Sequence, residues 1–151
     1  IYSEDAQISN RYPEWDAALL MARENPLLGV GPGLYQENIG GYFGSLPDAP
    51  SEKAEADSEN LYLVTASSTG ILGLAAFISL LMHFGGNALR AWRAPDSPWV
   101  RTLSSGLLGA LTAYAINSIW SPLLVRGIGI SLAILLAFTS NLSAKAGESH
   151  D

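Results

Sequence analysis

The sequence predicts an all-α membrane fold: about three transmembrane helices, with an outer-face loop region carrying a short amphipathic helix. Three observations predict it. Residues 61–89 contain no Asp, Glu, Lys or Arg, and an apolar stretch of ~20 residues is what a helix needs to cross the hydrocarbon core. Residues 102–144 carry one charge, Arg126. Residues 1–60, by contrast, hold 11 of the 14 acids, with Arg11, Arg23 and Lys53 as their only strong bases. The expected organisation is therefore a loop region over 1–60, a membrane region over 61–144 with spans near 61–84, 101–118 and 123–142, and a short tail over 145–151.

The first residues, Ile1–Gln7, are an acidic lead-in without pattern. Ser9 or Asn10 suits a helix cap, and Pro13 suits a first turn. Trp15, Ala18, Leu19 and Ala22 follow the spacing of one helical face, so the pattern predicts an amphipathic helix over 13–24. Asn25-Pro26 ends it, because the residue before proline is pushed out of the α region. Such a helix either lies on a membrane surface or packs on the bundle.

The run PLLGVGPGLY follows, residues 26–35. Gly29, Gly31 and Gly33 serve either a tight turn or a cradle of backbone N–H groups for an anion. It is not a dinucleotide fingerprint, since Gln36 stands where the last glycine would be and no strand pattern precedes it. Residues 36–58, rich in Gly, Pro, Ser, Ala and acids, read as a solvated loop.

The first span opens on an acidic lip, Asp57-Ser58-Glu59-Asn60, and runs into an uncharged stretch. Behind it, residues 85–101 read as a short loop holding Arg90, Arg93 and Arg101 against Asp96 alone. The 43 residues of 102–144 would make a single helix of roughly 65 Å, about twice the hydrocarbon thickness, and so must fold back. The expected turn is 117–122, with Trp120 as an interface anchor and Pro122 as the breaker.

Short loops rich in Lys and Arg stay cytoplasmic, which puts 85–101 and the C-terminus inside and residues 1–60 outside. No basic surface is available for phosphates along a duplex, so nucleic acid is excluded as a partner. Without cysteine there are no disulfides or thiolate metal sites. The chain begins with Ile1 and shows no charged-then-apolar leader, which reads as a piece of a longer membrane protein.

Arg11, Trp15, the run from Asn25 to Gly33, then Glu59-Asn60-Leu61-Tyr62-Leu63 and Gly70-Ile71-Leu72-Gly73 occur in an order and spacing that resembles the O-antigen ligase/polymerase family. The resemblance covers roughly residues 9–82. It implies an all-helical glycosyltransferase of the GT-C kind at the outer face of the bacterial inner membrane. The implied donor is a glycan on undecaprenyl diphosphate. The acceptor is lipid A–core in the ligases, or another lipid-linked glycan in the polymerases. No cofactor or metal is implied, since arginines neutralise the diphosphate. The family arginine falls on Arg11, and a guanidinium pairs bidentately with phosphate without ever deprotonating.

The chain departs from the ligase pattern at one place. Glu59 stands where ligases carry the histidine that activates the acceptor hydroxyl. A carboxylate also serves as a general base. Three alternatives follow: Glu59 is the base of a polymerase-like variant, Asp57 takes that part, or ligase chemistry is lost. Asn60 beside it and Arg126, one turn into the third span, complete the candidate substrate-binding set. Arg126 either snorkels to lipid headgroups or helps hold the diphosphate.

Each candidate also has a plainer reading. Arg11 would be an exposed helix start, Glu59 an acid solvating a helix entrance, His83 an interfacial histidine. Tyr35, Tyr42, Phe43 and Tyr62 either stack on sugar rings or form an aromatic belt with membrane lipids as partners. His150 has no assignable part. The competing class is a non-catalytic membrane scaffold or transporter segment. A transporter would carry ionisable groups near mid-span, and only Arg126, near an end, is found.

Overall fold

A computed structural model places residues 11–46, 58–93, 98–121, 133–134 and 136–137, and these are the described residues. They form four helices: α1 (Arg11–Glu24), α2 (Tyr35–Gly44), α3 (Leu61–Arg93) and α4 (Pro98–Asn117), with no strand among the described residues. The chain divides into two compact units, Ile1–Ala76 with Ile119–Pro122, and Phe77–Ser118 with Leu123–Asp151.

In the first unit, α1 begins two residues before the expected start, with Pro13 in the first turn, where no amide partner is needed. Glu14 in its first turn and Arg23 in its last complement the helix dipole. Its buried face is Glu14, Ala17, Ala18 and Met21. The expected face was 15, 18, 19 and 22, so the helix is turned by one residue, about 100°. Small side chains decide it. Ala17 and Ala18 let α1 approach α3 closely enough for Ser67 Oγ to donate to the Ala18 carbonyl at 2.8 Å. The larger Leu19 is left outside.

Helix α2 occupies residues expected to be loop. Gly40 and Gly41 conceal it in composition, but Tyr35, Ile39 and Phe43 recur every four residues and are its buried face. They close a core with Ala17, Ala18 and Met21, and Val30, Leu63 and Val64 pack around it. Ser45 stops the helix, donating through Oγ to the Tyr42 carbonyl at 2.7 Å.

Helix α3 is two helices joined across a break. Gly70 sits at φ 67°, ψ −169°, a conformation essentially reserved to glycine. The break leaves carbonyls at the end of the upstream piece and an amide at the start of the downstream piece without helical partners. The glycine-rich turn supplies them. Val30 N–H donates to Ser67 O at 2.9 Å, Gly31 N–H to Ser68 O at 2.9 Å, and Ile71 N–H to Pro26 O at 2.8 Å. Both glycines at the joint are sterically required. A Cβ on Gly29 would overlap the Ser67 and Ser68 backbone, and one on Gly70 would overlap the Leu27 carbonyl.

In the second unit, α3 and α4 meet through Ala88, Ala91 and Leu107, flanked by Val100, Leu103 and Leu108. The expected arginine loop is therefore mostly helix: α3 runs through Gly85 and Gly86 to Arg93, and α4 starts at Pro98. The Ala88–Ala91–Leu107 contact offsets the weak helix preference of the two glycines. Arg101 lies 5.2 Å over the Trp92 ring, a cation–π contact. Asn87 links Arg90 to His83 Nε2 along one face of α3. Helix α4 buries Ser104, Leu107, Leu111 and Tyr114 and ends at Asn117, where the turn was expected.

Among the described residues, α3 is the one helix long and apolar enough to cross a membrane, by length and composition. Helix α4 has the length, but Arg101, Thr102, Ser104, Ser105 and Thr112 dilute its apolar character. Of the expected third span, Ala133, Ile134, Leu136 and Ala137 are described and are helical. The remainder lies outside the described residues.

Candidate functional site

The mouth of α3 is held by groups from three directions. Asn60 caps the helix, its Oδ1 accepting from Tyr62 N–H at 3.0 Å and Leu63 N–H at 3.1 Å. Just before it, the Ser58 backbone is gripped at both ends. Its carbonyl accepts from Trp15 Nε1 of α1 at 2.8 Å, and its N–H donates to the Tyr35 hydroxyl at the start of α2 at 3.2 Å. Ser58 is fully buried and Asn60 is 7% exposed. The Ser58 Oγ finds no hydrogen-bond partner among the described residues.

Between these two buried residues stands Glu59, half-buried and in the left-handed region at φ 47°. It is the one non-glycine residue with positive φ among the described residues. A left-handed conformation costs a residue with a Cβ about 1 kcal/mol. It persists where surroundings over-determine the backbone, as the Trp15, Tyr35 and Asn60 hydrogen bonds do here.

Arg11 opens α1, one turn before Trp15 and on the same face, because residues four apart on a helix are neighbours. The order of contacts along α3 gives the direction: Trp15 meets Ser58, Ala18 meets Ser67, and Pro26 meets Ile71. Helix α1 therefore runs alongside upstream α3 in the same sense, and its first residue belongs to the end where the mouth lies. The Arg11 side chain, Asp57 and Arg126 lie outside the described residues.

Asn60, expected at a substrate, has its amide oxygen engaged in the helix cap. The glycine turn takes the turn reading rather than the anion cradle, since the amides of Val30 and Gly31 are spent on Ser67 and Ser68. Tyr35 and Phe43 are core side chains, not belt residues or sugar platforms. Trp15 and Tyr35 carry hydrogen bonds that hydropathy patterning does not reveal. The available signal was chemical: an indole has one donor and seeks an acceptor when partly buried.

A shallow cleft of about 430 Å³ lies against α1 and α2, with Glu24, Glu37, Asn38 and Tyr42 among its lining. The Glu24 carboxylate, as hydrogen-bond partner of the Tyr42 hydroxyl, pushes the Tyr42 pKa above the usual tyrosine value.

Residues 2–78 match the family model described as O-antigen ligase. The match takes in α1, α2, the glycine turn, the mouth and the break in α3, and spans about half of the sequence. The chain belongs to that family. No curated protein and no solved structure matches it significantly.

Proposed function

We propose that this member of the O-antigen ligase family belongs to a multi-pass glycosyltransferase of the bacterial inner membrane. Its substrate is a glycan on undecaprenyl diphosphate, transferred to an acceptor hydroxyl at the outer face. Residues 1–60 lie outside, three spans follow, and the C-terminus is cytoplasmic. Polymerisation onto another lipid-linked glycan is favoured over ligation to lipid A–core, because Glu59 replaces the histidine of the ligases.

One observation carries the reading. A strained acidic residue is held by hydrogen bonds at the mouth of the candidate membrane helix, and the helix that Arg11 opens starts at that same end. In the transfer, the acceptor oxygen attacks the anomeric carbon of the donor sugar while its proton passes to a Glu59 carboxylate oxygen. The bond from that carbon to the diphosphate oxygen breaks, and its electron pair leaves on the diphosphate. Arg11 neutralises that charge, which near low-dielectric lipid is the largest contribution a fixed cation offers. Arg126 supports the donor phosphates from the third span.

The test uses the full-length protein in membranes. Arg11→Ala abolishes lengthening or transfer of the glycan while insertion is retained, and unchanged glycan ladders remove the diphosphate assignment. Glu59→Gln lowers turnover by about 100-fold or more, the usual worth of a general base. Full activity there moves the base to Asp57, tested by Asp57→Asn. Reporter fusions before Leu61 read as external, and a cytosolic result ends the proposal.

A further inference from the structure

Glu59, the proposed base, has an unusual backbone neighbourhood. Its two sequence neighbours are buried and fixed, while it alone is half-exposed and left-handed. The direction of its Cβ is therefore set by the backbone of the two fixed residues that flank it. One of these is closed by the helix cap at Asn60, where Val64 N–H donates to Asn60 O at 2.9 Å. The other depends on two side chains distant in sequence, the Trp15 indole on the Ser58 carbonyl and the Tyr35 hydroxyl on the Ser58 N–H. Loss of either bond frees Ser58 to rotate and lets Glu59 relax to negative φ, which swings its side chain away. Trp15 does a second thing. It lies one turn from Arg11 on the same face, so the bond that fixes Ser58 also fixes the spacing between the start of α1 and the mouth.

We propose that Trp15 and Tyr35 are positioning residues, gripping the Ser58 backbone so that Glu59 is held left-handed toward the acceptor at a set distance from the start of α1. This rests on the reading of Glu59 as the base. Neither side chain touches substrate. A reacting group misplaced by about 1 Å can cost about 100-fold in rate, so a residue two bonds removed can control turnover without altering affinity.

The experiment is a mutant cycle in the full-length protein, assayed in membranes with the lipid-linked glycan donor. Trp15→Phe keeps an aromatic ring and deletes the donor. It lowers kcat about tenfold and leaves KM for the donor within about twofold. Tyr35→Phe deletes the hydroxyl and lowers kcat about threefold, in the same sense. In the Glu59→Gln background neither substitution lowers kcat further, because there is no carboxylate left to aim. Wild-type kcat in both single variants overturns the inference, as does a loss that multiplies with that of Glu59→Gln. Full activity of Glu59→Gln alone overturns the base assignment, and the positioning role falls with it; that outcome is read independently of either aromatic. If Trp15→Phe does not accumulate in membranes, the Tyr35→Phe and Glu59→Gln cycle decides by the same non-additivity.

Discussion

Upstream of Gly70, α3 carries Thr65, Ser67, Ser68 and Thr69, and it turns Ser67 and Ser68 inward. Downstream it carries Ile71, Leu72, Ile78, Leu80 and Met82, and leaves them exposed, Met82 by 73%. Hydroxyls upstream satisfy themselves on helix carbonyls one turn back: Thr65 on Leu61, Ser67 on Leu63, Thr69 on Thr65. Such back-bonding makes a polar side chain tolerable inside a packed unit. The downstream residues have the opposite preference, since exposed leucine and isoleucine in a row suit lipid better than water. At 1.5 Å per residue, 71–93 makes roughly 35 Å of helix, enough for a bilayer by itself. One continuous apolar stretch thus contains a protein-packed piece and a piece with an exposed apolar face, and the glycine between them marks the change.

Substitutions break that comparison in graded ways. Gly70→Ala should have the largest effect, because the new Cβ meets the Leu27 carbonyl and the backbone angle is unsuited to alanine. A loss of about 3 kcal/mol or more is expected from strain and overpacking together. Gly86→Ala is its downstream counterpart. An added Cβ there meets nothing within 4 Å, so the exchange should stabilise the helix by up to about 1 kcal/mol. Thermal unfolding in detergent compares the two, and equal effects would refute the distinction. Asn60→Ala should cost about 1–2 kcal/mol by uncapping α3, read as a lower melting temperature. Ser67→Ala removes the bond to the Ala18 carbonyl and should cost about 1 kcal/mol in the same assay. The smallest effect concerns the cleft, on the packed side of the comparison. Glu24 raises the Tyr42 pKa, so the stabilisation from their contact is intact below the ordinary tyrosine value of 10.0 and is lost as pH rises through the raised one. In Glu24→Gln, Tyr42 should ionise at lower pH in an ultraviolet absorbance titration.

Much of this architecture was legible from residue types. The charge-free run named α3, Asn25-Pro26 placed the end of α1, and Asn117 the end of α4. The motif glycines were visible as a pattern, though their reason was not. Gly29 is required by its approach to Ser68 and Gly70 by its approach to Leu27, contacts between distant parts of the chain that no local window registers. Gly73 leaves room for the Thr69 side chain, a neighbour displaced onto it by the break. Helix α2 was hidden because paired glycines outweighed its four-residue aromatic and aliphatic spacing, a case of packing overriding propensity. The buried face of α1 was misjudged because bulk hydrophobicity favours Leu19, whereas close approach favours Ala17. At the mouth, the sequence supplied Glu59 and Arg11 as candidates by type. It could not disclose that Trp15 and Tyr35 hold the Ser58 backbone, since a side chain's bond to a distant backbone leaves no periodic trace.

The Pro26 carbonyl that receives the Ile71 amide lies 45 positions earlier in the chain. A ladder that ordinarily closes on itself is here completed by a lender from elsewhere. While the preceding segment is unfolded, that amide has no taker in the protein, and a buried amide left unpaired costs about 1–3 kcal/mol. The joint therefore couples the two segments: the downstream piece of α3 is fully satisfied at its start only after the glycine-rich turn has folded against it.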